Sequence, residues 1–332
     1  MALLAAVVSV LLWASAFVGI RAAGEDLSPG ALSLGRLAIG SVLLGALALS
    51  RGGRWPGRPE LPLLLTCGVL WFGLYNPVLN EAEQRVDAGT AAMLVNVGPL
   101  LIALLAGLLL GEGFPRTLVI GCAIAFAGAI VVGLGTSERG VGAGWGSVLC
   151  VVAAALYAGG VIAQKPLLSR ASALHITWLA CLIGMVVCLP FAPQLFGELG
   201  SADASSITWM VYLGIFPTAV AFTTWAYALS RTTAGRMGAT TYLVPPLAIL
   251  LGWAMLGETP AQLAFFGGAL CLAGVVIARR PSLPERGDRA APGRNWYRSG
   301  RRREAPRRTP TAATGARFRG TRPAPEEPPA RR

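Results

Sequence analysis

The chain has 332 residues, 54% hydrophobic and only 13% charged, with a mean hydropathy of +0.60 and a net charge of +12. A soluble domain carries about 25% charged residues, so this composition excludes a water-facing surface over most of the chain. The charge is also displaced to one end: residues 279–332 hold sixteen arginines and five acids, whereas residues 1–278 hold twelve Lys/Arg and eleven acids, so the basic balance describes a tail and is weak support for nucleic-acid binding.

A membrane-spanning helix needs about 20 mostly apolar residues. Runs of that kind recur at 3–21, 30–50, 61–80, 88–110, 116–135, 144–164, 173–192, 207–229, 236–256 and 261–279. They predict an all-α integral membrane fold of ten transmembrane helices. The first run contains Ala14-Ser15-Ala16, which resembles a cleavage site, but it has no basic leader and continues through Phe17, Val18 and Ile20. It is read as a retained helix rather than a signal peptide. Period-2 alternation is absent, which argues against a membrane β-barrel. The six cysteines lie inside apolar runs without CxxC spacing and read as small buried hydrophobes. One histidine, His175, in a loop-like position, excludes multi-histidine metal chemistry; no cofactor or metal is expected.

Lys/Arg placement predicts orientation. With a cytoplasmic N-terminus, the inward loops hold Arg51, Arg54, Arg58, Arg116, Lys165, Arg170, Arg231 and Arg236, and the outward loops only Arg21, Arg85 and Arg139. An even number of spans then puts both termini in the cytoplasm. Residues 281–332, rich in Pro and Arg, read as a disordered basic tail with affinity for anionic lipid and no specific nucleic-acid partner.

The two halves resemble each other. A shift of 146 residues brings Gly68 onto Gly214, Pro99 onto Pro245, Leu110-Gly111-Glu112 onto Leu256-Gly257-Glu258, Gly121 onto Gly267 and Gly128 onto Gly274; a shift of 144 brings Trp13 onto Tyr157 and Arg21 onto Lys165. Five spans per half is an odd number, so the second half enters the membrane from the opposite side. The expectation is two inverted repeats, 1–140 and 141–280, followed by the tail. Such repeats build carriers whose site lies between the halves near the midplane.

The order and spacing of these motifs resemble the EamA-type carriers of the drug/metabolite transporter superfamily. The resemblance rests on Trp13-Ala14-Ser15-Ala16-Phe17-Val18, Arg36-Leu37-Ala38, Pro99 before Leu110-Gly111-Glu112, Tyr212-Leu213-Gly214 before Ala226-Tyr227-Ala228-Leu229, and Pro245 before Leu256-Gly257-Glu258. It covers residues 1–280, and departs from the family at Asn76-Pro77 and Asn80-Glu81-Ala82-Glu83. It implies export of a metabolite or drug-like compound, commonly by proton exchange.

Candidate binding residues are those with polar or aromatic side chains inside spans. Arg36 reads either as an anion-attracting or gating charge or as a paired structural arginine. Ser15, Asn76, Asn96, Thr218 and Tyr242 are polar groups near mid-depth; Asn96 and Tyr242 match in the repeat, three residues before Pro99 and Pro245. A helical proline frees the carbonyl four residues earlier, so Pro77, Pro99 and Pro245 mark kinks. Trp13, Trp71, Phe72, Tyr75, Tyr157 and Phe222 read as a cavity lining or as ordinary packing. Glu112 and Glu258 read as loop or capping groups. Asn80, Glu81 and Glu83 are expected at the outer end of the third helix, in a vestibule or a solvated loop, so no carboxylate is expected at mid-depth. The Gly121/Gly128 and Gly267/Gly274 pairs predict close helix packing. The leading function is a secondary carrier; a lipid-linked flippase on the same scaffold is the alternative. No catalytic constellation is present in the sequence, and oligomeric state is unreadable from it.

Overall fold

The computed structural model describes residues 1–85, 94–136, 144–256 and 262–280. The tail assigned to 281–332 and the Gly257-Glu258 half of the repeated motif lie outside the described residues. All regular structure among the described residues is helical. In chain order these are α1 (Ala2–Ala23), α2 (Pro29–Ser50), α3 (Arg58–Arg85), α4 (Val97–Leu109), α5 (Arg116–Thr136), α6 (Trp145–Leu167), α7 (Ala173–Leu199) and α8 (Ala204–Leu229). Then come α9, made of Ala234–Thr240, a 3-10 turn Thr241–Leu243 and Val244–Leu256, and α10 (Gln262–Arg279). Six of them, α1, α2, α3, α6, α7 and α8, are long and apolar enough to cross a membrane. Shorter apolar helices lie in α4, α5 and α10.

Local chemistry explains several boundaries. Ser28 stands at the N-cap of α2 with Pro29 at its first position, where a missing N–H costs nothing. Ser172 and Thr233 accept the backbone N–H of His175 and Arg236 as N-caps of α7 and α9. His175 therefore sits on the first turn of a helix rather than in a loop, and it is buried. After α4 the backbone turns through Gly111 and Gly113, at φ 66° and 68°, a left-handed conformation that favours glycine. The reversal brings the Glu112 carboxylate to the start of α9, where it accepts from the Ala234 and Gly235 amides at 2.7 and 3.1 Å. The α3 helix runs five residues beyond its expected end at 80, and α7 passes through Pro190 and Pro193 by way of a 3-10 turn at Leu189–Phe191.

Packing relies on small residues. A Cβ built on Gly128 would lie 2.6 Å from the Cys271 nitrogen, and one on Gly274 would lie 2.4 Å from the Ala125 nitrogen. The helices α5 and α10 therefore touch backbone to backbone, as the glycine spacing predicts. The contact is reciprocal: Ala125 and Cys271 are 146 residues apart, as are Gly128 and Gly274, and Cys271 Sγ donates to the Ala125 carbonyl at 3.4 Å. The α2–α7 contact repeats the arrangement. Cys181 Sγ donates to the Leu37 carbonyl 144 positions away, and beside this contact a Cβ on Gly68 of α3 would meet Ile183 of α7 and one on Gly214 of α8 would meet Ile39 of α2, each at 2.7 Å. All six cysteines are free and buried.

Candidate functional site

Two π-helical turns, Gly68–Leu74 in α3 and Gly214–Val220 in α8, occupy the matching places of the 146-residue shift. A proline stands near each, and its consequence is satisfied locally. Pro77 leaves the Gly73 carbonyl without its helical N–H, and the Cys188 thiol donates to it at 3.3 Å. Asn76 spends its amide on the Phe72 carbonyl at 2.8 Å. Pro217, absent from the predicted kinks, leaves the Leu213 carbonyl free, and the Thr218 hydroxyl donates to it at 2.8 Å. The Pro217 carbonyl accepts from the Trp13 indole N–H at 3.2 Å. Single π turns of this kind recur at functional sites because they re-aim side chains without ending the helix.

Trp71, from the first of these turns, faces a partly open interior space. Trp13, Trp71, Phe222 and Trp225 form a packed aromatic group, with ring centroids 4.9 Å apart for Trp13–Trp225 and 5.0 Å for Trp71–Phe222. Tyr157 stacks against Trp71 at 5.5 Å and Tyr75 at 6.1 Å. Around Trp13, Trp71, Tyr157 and Phe222 lies a cavity of about 80 Å³, with room for a small molecule or several waters. Its polar wall is made by Arg36, Asn76, Glu83, Asn96 and Thr241. The contributing helices are α1, α2, α3, α4, α6, α8 and α9, so the lining comes from both halves of the chain.

Of the residues selected from sequence, Trp13, Arg36, Tyr75, Asn76, Asn96, Tyr157 and Phe222 line this cavity, and Pro99 lies in its wall. Three others do not. Ser15 faces away, sharing a hydrogen bond with the Tyr212 hydroxyl at 2.7 Å and donating to the Leu12 carbonyl. Thr218 stands behind the wall, where its hydroxyl accepts from Arg36 Nε at 3.1 Å. Tyr242 packs on Phe126 in a separate cluster with Leu118 and Cys122, and its hydroxyl has no hydrogen-bond partner among the described residues. The 3-10 turn before Pro245 explains this: it carries Tyr242 away and presents Thr241, whose hydroxyl lies 3.5 Å from that of Tyr157.

Glu83 joins the candidate residues in the cavity wall. The third helix continues to Arg85, and Tyr75, Asn76, Leu79 and Glu83 then fall on one face at helical spacing. Glu83 is thus a cavity residue, and its Oε1 is buried without a hydrogen bond among the described residues. Glu83 stands two residues from the end of α3 and lines the cavity rather than a solvated loop, because the helix does not stop where the apolar run stops. Glu81, two residues earlier, points outward and pairs with Arg85. Asn80 is also buried rather than in a vestibule, donating to Ser33 Oγ at 3.0 Å.

At the far end of α6, Lys165 Nζ donates to the Leu229 carbonyl at 2.7 Å and to the Thr232 carbonyl. Together with the Glu112 cap, this ties α6, the α4–α5 loop, α8 and α9 at one end of the bundle. Among the described residues no group of three or more His, Cys, Asp and Glu is placed to hold a metal ion.

An all-helical body with several apolar spans around an interior amphipathic cavity is the architecture of a membrane transporter. The EamA-like transporter family model matches residues 1–134 and 144–280, and the chain belongs to that family. The chain is 37% identical over 293 residues to a protein of Streptantibioticus cattleyicolor named "Probable terminal-alkyne amino-acid exporter", covering 87% of this chain and 97% of that protein. It is 31% identical over 266 residues to the uncharacterized transporter YdfC of Bacillus subtilis, covering 80% and 86% of the two chains. A crystal structure 22% identical in sequence superposes with a TM-score of 0.68, over 84% of this chain and 96% of its own, and shares the fold. The chain is a multi-pass cell-membrane protein that takes a small-molecule substrate, a transporter rather than an enzyme.

Proposed function

We propose that this protein is a secondary carrier that exports a small amino acid or closely related metabolite across the cytoplasmic membrane by alternating access. The cavity between Trp13, Trp71, Arg36 and Glu83, walled by helices of both halves, is the observation that carries this reading. A carrier needs such a site between two bodies that rock against each other. The reciprocal contacts at α5–α10 and α2–α7, and the matched π turns, support two inverted five-helix repeats, 1–140 and 141–280, as those bodies. The exporter relative supports an amino acid as cargo.

The loop charges put the Lys165 end of the bundle in the cytoplasm, together with both termini. The ties made by Lys165 and Glu112 then lie on the cytoplasmic side of the bundle and support a state closed toward the cell interior. Export requires these ties to open in turn. The single test is uptake of labelled propargylglycine, a small terminal-alkyne amino acid, into inverted membrane vesicles. Accumulation that collapses with a protonophore supports a proton-driven exporter. Lipid translocation without any solute movement would overturn the carrier in favour of a flippase.

A further inference from the structure

We propose that Arg36 and Glu83 are the two poles of an α-amino-acid site: Arg36 receives the carboxylate, Glu83 receives the ammonium, and the aromatic walls receive a small apolar side chain. This rests on the carrier reading above and assigns its chemistry to residues.

Both groups line one cavity, on the adjacent helices α2 and α3. Arg36 is 4% exposed, and its one hydrogen bond among the described residues runs from Nε to Thr218. Its two terminal nitrogens, the pair that grips a carboxylate side by side, have no partner there. Glu83 Oε1 is likewise buried and unbonded. The two form no direct ion pair, the ion pairs among the described residues being Arg85–Glu81 and Arg170–Glu60, although each lies within the field of the other. The other cation whose field reaches Glu83 is Arg21, near the end of α1, which is exposed.

A guanidinium and a carboxylate held apart inside a membrane protein are each costly. A ligand bearing an anion and a cation on one carbon satisfies both at once. The remaining wall narrows the side chain. Asn76 has spent its amide on the Phe72 carbonyl, and Trp13, Trp71, Tyr157 and Phe222 offer ring faces. A cavity of about 80 Å³ suits a few carbons rather than a large aromatic or a long polar chain.

The test measures binding to the purified full-length protein by scintillation proximity, with three probes. They are propargylglycine, the amine left when its carboxylate is removed, and the acid left when its ammonium is removed. Wild type should bind the zwitterion in preference to both. Arg36→Gln should weaken the zwitterion by roughly tenfold or more, the loss of a hydrogen-bonded charge, and bind the amine at least as well as wild type does. Glu83→Gln should weaken the zwitterion similarly and bind the acid at least as well. Arg36→Lys and Glu83→Asp keep the charges and should keep the preference for the zwitterion, which separates recognition from misfolding. Zwitterion binding unchanged in either Gln variant, or all three probes weakened alike, would overturn the two-pole site while leaving amino-acid export standing. Wild type binding none of the three would overturn both.

Discussion

Thr218 is the support on which Arg36 rests, and Thr218→Val tests that directly. Valine matches threonine in shape but deletes the oxygen that accepts from Arg36 Nε at 3.1 Å and donates to the Leu213 carbonyl at 2.8 Å. Thr218 is 1% exposed, so water has no easy route to replace it. Losing a hydrogen bond to a charged donor costs about 1.5–3 kcal/mol, and a neutral interior bond in a membrane protein costs about 0.6 kcal/mol on average. The sum is about 2–4 kcal/mol. At about 2 °C per kcal/mol for a large domain, the melting temperature in detergent should fall by about 4–8 °C. Thr218→Ser, which keeps the hydroxyl, should recover most of it. Because Thr218 stands behind the cavity wall, the Val variant should also raise KM for the transported amino acid through a misplaced Arg36. A Val variant that melts and transports like wild type would show that Arg36 is held by something else.

Gly274→Val should disrupt the α5–α10 contact, since its Cβ would sit 2.4 Å from the Ala125 nitrogen. Overpacking of this kind costs roughly 1–3 kcal/mol, read as reduced monodisperse yield and a lower melting temperature, whereas Gly52→Ala, with nothing within 4 Å, should be neutral. Glu112→Ala removes the acceptor of the Ala234 and Gly235 amides and should cost about 0.5–2 kcal/mol, as loss of a helix cap does, visible in the same melting assay. The Asp26 carboxylate lies between α1 and α2 and accepts from Ser206 Oγ at 2.7 Å and from the Asp203 amide at 3.0 Å, which holds its pKa below the usual carboxylate range. A depressed folded pKa means stability present above the unfolded value of about 3.9 and lost as pH falls through the lower folded value. Melting curves taken on the acid side should therefore flatten in Asp26→Asn, and equal acid sensitivity in the two proteins would refute the contact.

The membrane class and most of the helices are legible in the chain itself, because each depends on local quantities. Hydrophobic length decides whether a helix can span. Spaced glycines such as Gly128 and Gly274 announce close helix packing, and Pro77 announces a disturbed ladder. Seven of the ten residues chosen as binding candidates lie in one cavity wall, since buried polar and aromatic groups inside apolar runs are few enough to pick out. What the chain alone does not decide is direction. A run that is apolar all round has no polar face to show which side looks inward, so Ser15 and Tyr242 read as well as Asn96 although their side chains point elsewhere. Helix packing settles the rotation of Ser15, which meets Tyr212, and the 3-10 turn at Thr241–Leu243 settles that of Tyr242. Glu83 is the clearest case. By composition it belongs to a polar break after an apolar run, and only the continuation of α3 to Arg85, packed against its neighbours, carries that carboxylate into the cavity with Arg36.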